Sequence, residues 1–157
     1  EVEKVGYVQF IRQVMGLIEN GTYDIVHAGR TPEVWGFYPE FQAGLEREHG
    51  RLYGELLGLP HLDPDPYMGP FGCSEVMAEE LQKFDPKAFG LPDTYVNIFF
   101  PVHAMKTMGA LLGFPKVPFE YPPEQKAEEE GPLAANMEKK RLWQAKLMDG
   151  VKILAAA

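Results

Sequence analysis

Fourteen prolines cut this chain of 157 residues into short lengths, and they set what it can fold into. A proline inside a helix removes a backbone donor and clashes with the preceding turn, so helices are expected to fall between prolines. Two clusters mark long connections: Pro60, Pro64, Pro66 and Pro70, then Pro115, Pro118, Pro122, Pro123 and Pro132. Between the clusters, apolar residues recur at helical spacing.

Val8, Ile11, Met15 and Ile18 share one face of a first helix, expected over residues 2–19 and stopped by Asn20-Gly21. Thr31-Pro32-Glu33 reads as a helix start: a capping hydroxyl, proline at the first helical position, then an acid at the positive dipole end. Pro39 separates that short turn from a main second helix over 39–57, with Phe41, Leu45, Leu52 and Leu56 inward and His49 in the same register. Along it, Gly50, Gly54 and Gly58 form a smooth strip where another backbone can approach.

Ser74 caps a third helix over 75–84, with Met77, Leu81 and Phe84 inward, and Asp85-Pro86 ends it. Tyr95 to Phe100 reads as a short strand or a helix start. A helix entered just before Pro101 and closed by Gly113 is preferred. The last helix, over 133–156, sets Leu133, Met137, Leu147, Val151 and Leu154 on one side with Trp143 beside them. The expected fold is all-α, an irregular bundle of four to five helices with long Pro-rich loops. Its organisation is a helical domain over 1–113, a Pro-rich extended arm over 114–132, and a C-terminal amphipathic helix over 133–157 packing on the same domain.

Charge narrows the partners. The net charge of −8 opposes nucleic-acid binding, because the phosphate backbone repels an acidic surface. Only the stretch from Glu138 onward is basic, with Lys139, Lys140, Arg141, Lys146 and Lys152 against Glu138 and Asp149. Such a helix can rest on an anionic membrane surface or against the chain's own acidic body. No segment is expected to span a membrane: the longest run free of Asp, Glu, Lys and Arg, Thr94 to Met105, is well short of the about 20 residues that a spanning helix needs. A chain beginning at Glu1 points to processing, and so to an organelle or another targeted compartment.

Catalytic signatures are sparse. Cys73 is the single cysteine, which rules out an intrachain disulfide and a Cys-rich zinc site. It stands just before a helix start, where a thiol pKa can fall. Ser74 is the only serine, and no nucleophile elbow, phosphate loop or dinucleotide fingerprint occurs. Glu46 and His49 make one E-x-x-H, the spacing used in carboxylate-bridged di-metal bundles, but such a site needs two copies. The plain alternative is a surface Glu46 beside a core-edge His49. His103, next to Phe99, Phe100 and Met105, is a candidate axial ligand for a haem-type group or else a satisfied buried imidazole.

Phe114, Phe119 and Tyr121 alternate with prolines in the arm, and Trp143 lies on the last helix. Aromatics on preordered proline-rich chain suit a protein interface. The expected function is a non-catalytic accessory or structural subunit of a larger protein assembly, such as an organellar respiratory or photosynthetic complex, with no cofactor. Two alternatives stand beside it. One is a small helical enzyme or cofactor-binding protein using Glu46 and His49 or His103. The other is a peripheral membrane protein using the basic C-terminal helix.

Overall fold

A computed structural model of the chain describes residues 7–118 and 133–157, with side chains described from 8 and from 137 onward. The expected all-α bundle is corrected: the fold is mostly helical but includes short strands. Helix α1 (Tyr7–Glu19) is followed by strands β1 (Ile25–His27) and β2 (Gly29–Arg30), the short helix α2 (Pro32–Trp35) and the long helix α3 (Glu40–Leu57). Next come a 3₁₀ turn at Pro60–Leu62, β3 (Phe71–Cys73), α4 (Glu75–Lys83), a second 3₁₀ turn at Pro86–Phe89 and α5 (Val96–Met108). Strands β4 (Leu112–Gly113) and β5 (Lys116–Val117) precede the last helix, α6 (Leu133–Ala156).

β1 is the middle of a small sheet, antiparallel to β3 and parallel to β4, while β2 pairs parallel with β5. Residues 114–117, assigned from sequence to the extended arm, therefore join the fold. Lys116 and Val117 pair with Gly29 and Arg30, and Phe114 is buried edge-on against Tyr53. An aromatic buried by its own chain gains from folding alone, so it needs no partner for burial. Phe119, Tyr121 and the rest of the arm to Pro132 lie outside the described residues.

The sequence punctuation acts locally. Thr31 accepts a hydrogen bond from the Val34 amide, Ser74 does the same for Met77, and Gly58 ends α3 in the left-handed conformation. The helix expected to be entered just before Pro101 and closed by Gly113 starts and stops earlier, at Val96 and Met108 with Gly109 as its cap. Pro101 lies inside it. Proline cannot donate to the carbonyl four residues back, so the Asn97 oxygen lacks its helical partner. His27 Nε2 supplies one at 3.0 Å, and Tyr53 Oη donates to the neighbouring Ile98 oxygen at 3.1 Å. Two core side chains thus serve the turn that the proline opens.

The stretch Ile98–Val102 of α5 is apolar on every side and sits at the centre of the core: Ile98, Phe99, Phe100 and Val102 are buried against Leu147, Val151 and Leu154 of α6. At Gly150 an added Cβ would stand 2.7 Å from the Phe99 ring, so glycine there lets α6 close on α5.

Two expected stripes are rotated. On α1, Phe10 and Val14 are buried, whereas Val8, Ile11 and Met15 are exposed. On α3, Gln42, Glu46, His49, Tyr53 and Leu57 are buried, while Phe41, Leu45, Leu52 and Leu56 lie on the flank, only partly covered. The inward face of α3 is thus polar over its first half.

Candidate functional site: a buried polar cluster and the pocket beside it

The polar half of α3 faces Arg30, which leaves β2 2% exposed. Its Nε and Nη2 donate to the two oxygens of Asp65 at 2.7 and 2.6 Å, and its backbone amide donates to Asp65 Oδ2 at 3.0 Å. Nη2 also pairs with Glu46 Oε2 at 2.7 Å. Trp35 and Tyr38 cup the guanidinium, with ring centroids 3.7 and 4.5 Å from Cζ. A forked, weakly hydrated cation suits this place, where a compact ammonium could not pair bidentately and stack at once.

Asp65 reaches Arg30 because of the glycine strip. Gly50 and Gly54 of α3 lie against Pro64, and a Cβ at Gly50 would stand 2.4 Å from the Pro64 carbonyl oxygen. The close approach expected at this strip is therefore made by the proline-flanked loop, which carries Asp65 inward.

Glu46 is buried, so the surface placement considered from sequence is corrected. Its Oε1 accepts from Gln42 Nε2 at 2.9 Å and from Gln144 Nε2 at 3.1 Å. Lys140 Nζ in turn donates to Gln42 Oε1 at 2.8 Å. The cluster therefore ties α6 to α3 and β2. Gln144 Oε1 is buried with no partner among the described residues.

Burial pushes the Glu46 carboxyl above its ordinary value, against the opposing pull of Arg30. For Arg30, burial works against the charge, but the Asp65 hydrogen bond and the two carboxylates outweigh it and raise the pKa. The guanidinium stays charged.

Glu46 and His49 do not converge. While Glu46 turns to Arg30, His49 Nδ1 lies 3.0 Å from Tyr67 Oη. Among the described residues no group of three or more His, Cys, Asp or Glu is placed to hold a metal ion. His103 packs its ring against Phe84 and Phe89, at 4.9 and 5.5 Å between centroids. Cys73 is half-buried, and burial raises its thiol pKa, opposite to the lowering considered from its place before α4. Trp143 is half-buried between Tyr67 and Tyr95, and with Tyr95, Lys139 and Lys140 it lines an open pocket of about 440 Å³.

Sequence reading missed Arg30, Asp65 and Gln144. A signal existed for the first two. Arg30 is the charged residue that closes the uncharged run Ile25–Gly29, and Asp65 stands between two prolines. Gln144, on a mainly charged stretch of α6, carries no such mark.

His27 gives the first testable consequence. Burial lowers its pKa from 6.5 despite the Asn97 hydrogen bond, so it is neutral in the fold at pH 7. Below pH 6.5 the unfolded chain takes up a proton here that the folded chain refuses. Stability is therefore full above that pH and falls as pH drops toward the folded-state pKa, by about 1.4 kcal/mol per pH unit for this group. Burial lowers His49 in the same direction. Glu46, whose pKa is raised, acts oppositely in the window just above 4.5. Urea unfolding at pH 7 and pH 5.5 is expected to show this loss, and His27→Gln is expected to flatten it. An unchanged pH slope in that variant overturns the assignment.

Comparison of the chain with protein-family models, with curated proteins and with solved structures finds no match.

Proposed function

We propose that the chain is a non-catalytic accessory subunit that docks onto a partner protein through the outer face of α1. One observation carries this reading: α1 is apolar on two faces and the fold buries only one. Phe10 and Val14 pack on the sheet side, while Val8, Ile11 and Met15 stand 61%, 40% and 52% exposed. Large side chains left outside at helical spacing mark an interaction surface. The surface continues into a shallow groove of about 290 Å³ between α1 and Pro70–Cys73. β3 forms one edge of its sheet, so the groove borders a strand with one side unpaired in that sheet.

The buried cluster supports the non-catalytic half of the reading. Both carboxylates and the guanidinium are engaged with one another, an arrangement that holds elements together and offers no open position to a substrate. Among the described residues no helix is long and apolar enough to cross a membrane.

Ile11→Asp and Met15→Glu test the surface. Both positions are exposed, so the fold is expected to keep its stability within about 0.5 kcal/mol. On purification from the native source, the unaltered chain is expected to co-migrate with a partner in fixed ratio and both variants to elute alone. Retention of the partner by both variants refutes this surface. Self-association of the pure chain, abolished by the same changes, replaces the accessory reading with a homodimer.

A further inference from the structure

The register of β3 decides which of its backbone groups face outward. Ile25 lies opposite Cys73, Val26 opposite Gly72 and His27 opposite Phe71. At the two ends of that ladder, the Ala28 amide donates to the Pro70 oxygen at 3.1 Å and the Ser74 amide to the Asp24 oxygen at 2.9 Å. Bonded and non-bonded pairs alternate in an antiparallel ladder, so Val26 with Gly72 is the bonded pair between them. Phe71 and Cys73 fall in the non-bonded pairs. Their N–H and C=O groups point away from β1, to the side where the sheet has no further strand. β1 obeys the same parity: the Ile25 amide turns from β3 and donates to the Leu111 oxygen at 3.1 Å. We propose that the β3 edge takes up an extended segment of the partner protein as an added antiparallel strand, with one apolar side chain of that segment seated in the groove beside α1. The segment belongs to the partner docked on α1, so its capture rests on that reading of α1.

The edge specifies the chemistry of what it takes. Partial charges along it run donor, acceptor, donor, acceptor, and another extended backbone offers the complementary order. Native edges are ordinarily guarded by a charge, a bulge or a proline. Phe71, Gly72 and Cys73 carry no charge and are only half-buried. Pro70 belongs to an inward-facing pair, so the donor it lacks faces β1 and the outer edge is not blunted. Side chains alternate across a strand, which fixes their direction as well. Gly72 faces α1, since a Cβ added there would collide with Val14 Cγ1. Phe71 points the other way and stacks on His27, with centroids 5.8 Å apart. The partner residue opposite Gly72 therefore points to the α1 side, at the groove lined by Ile11, Val14, Met15 and Ile18. An apolar side chain there joins the strand edge to the exposed stripe of α1, so one partner uses both.

The capped peptide Lys-Thr-Val-Leu-Val-Thr-Lys serves as the probe, read by the backbone amide signals of the ¹⁵N-labelled chain. It is expected to shift the Phe71 and Cys73 amides saturably in the millimolar range or below and to slow their exchange with solvent. With its leucine opposite Gly72, the amides of its two valines face β3. N-methylation of both valines is expected to weaken binding at least about tenfold, the scale of two lost backbone hydrogen bonds, and N-methylation of the leucine to weaken it far less. On the chain, Cys73→Pro removes an outward donor and no bond of the ladder, so the fold is expected to survive. It should bind the probe at least about tenfold more weakly than Cys73→Ala, which keeps the amide. If Cys73→Pro does not fold, the N-methylated peptides still decide. No saturable shift, or equal binding by the two N-methylated peptides, overturns strand addition. Dimerisation of the pure chain that Cys73→Pro abolishes overturns it too, by making a second copy the occupant. Co-purification from the native source separates this inference from the reading of α1. Loss of the partner by both Ile11→Asp and Cys73→Pro supports the two together. Retention by Cys73→Pro with loss by Ile11→Asp overturns strand addition alone, and retention by both overturns both.

Discussion

Arg30→Ala is expected to destabilise the fold by about 3–5 kcal/mol, because it strands two buried carboxylates. Asp65 is 2% exposed and Glu46 5%, and Arg30 is the cation paired with both. The loss also removes the cation from the Trp35 and Tyr38 rings. Arg30→Lys restores charge but not the fork, so it should recover only part of the stability. The size of the loss does not measure the worth of the cluster. Removing its charges together, as Arg30→Met with Asp65→Asn and Glu46→Gln, should cost clearly less than Arg30→Ala alone, since no bare carboxylate then remains. Urea unfolding reads all of these as midpoint shifts at constant slope. A loss below about 1 kcal/mol in Arg30→Ala would show that water or a proton reaches the carboxylates at little cost.

The legible part of this fold is the part written in local chemistry. Thr31-Pro32 and Ser74 fix helix starts through groups adjacent in sequence, and those starts are where the residue types place them. The strands were not legible, because two or three residues cannot display an alternation of period two. Ile25–His27 is buried throughout and presents no exposed side. Pro101 misled for a related reason. The cost of proline in a helix is a local rule, but the donor offsetting it comes from His27, 70 residues away in sequence.

The rotated stripes share one cause. Apolar spacing identifies a face that can be buried, and it cannot tell that another face will be. On α3 the face chosen is the one whose Glu46 meets Arg30, so a long-range ion pair outweighs leucine periodicity. On α1 both faces are apolar, and the sequence holds no information about which one the sheet takes. The buried cluster was half visible: Glu46 and His49 drew attention through their spacing, but the true partners, Arg30 and Tyr67, are set by loop placement. The pocket at Trp143 was visible only as one aromatic on a basic helix.

Gly50→Ala tests that loop placement and should invert the usual sign. Alanine in a helix interior is better than glycine by about 1 kcal/mol, so the change would ordinarily stabilise. Gly44, on the same helix with nothing within 4 Å of its added Cβ, is the control, and Gly44→Ala is expected to stabilise by about 0.5–1 kcal/mol. At Gly50 the new methyl meets the Pro64 carbonyl oxygen at 2.4 Å. Real Cβ atoms do not stand so close to a backbone oxygen, and the contact is not with a flexible side-chain tip, so the chain at Pro64 has to move. Pro64 and Pro66 are themselves buried and stiff, leaving little room for the shift to be absorbed locally. Displacing the loop draws Asp65 away from a guanidinium it holds at 2.6 and 2.7 Å, where a few tenths of an ångström weaken both bonds. The overpacking alone costs about 1–3 kcal/mol. With the loosened ion pair added and the helix gain subtracted, a net loss of about 2–4 kcal/mol is expected. The two alanine variants should therefore move the unfolding midpoint in opposite directions. If Gly50→Ala stabilises as Gly44→Ala does, Pro64 does not rest on α3 and the glycine strip does not position Asp65. Combining Gly50→Ala with Arg30→Ala separates the two contributions: once Arg30 is gone, the ion-pair share of the glycine effect should vanish and only the steric share remain.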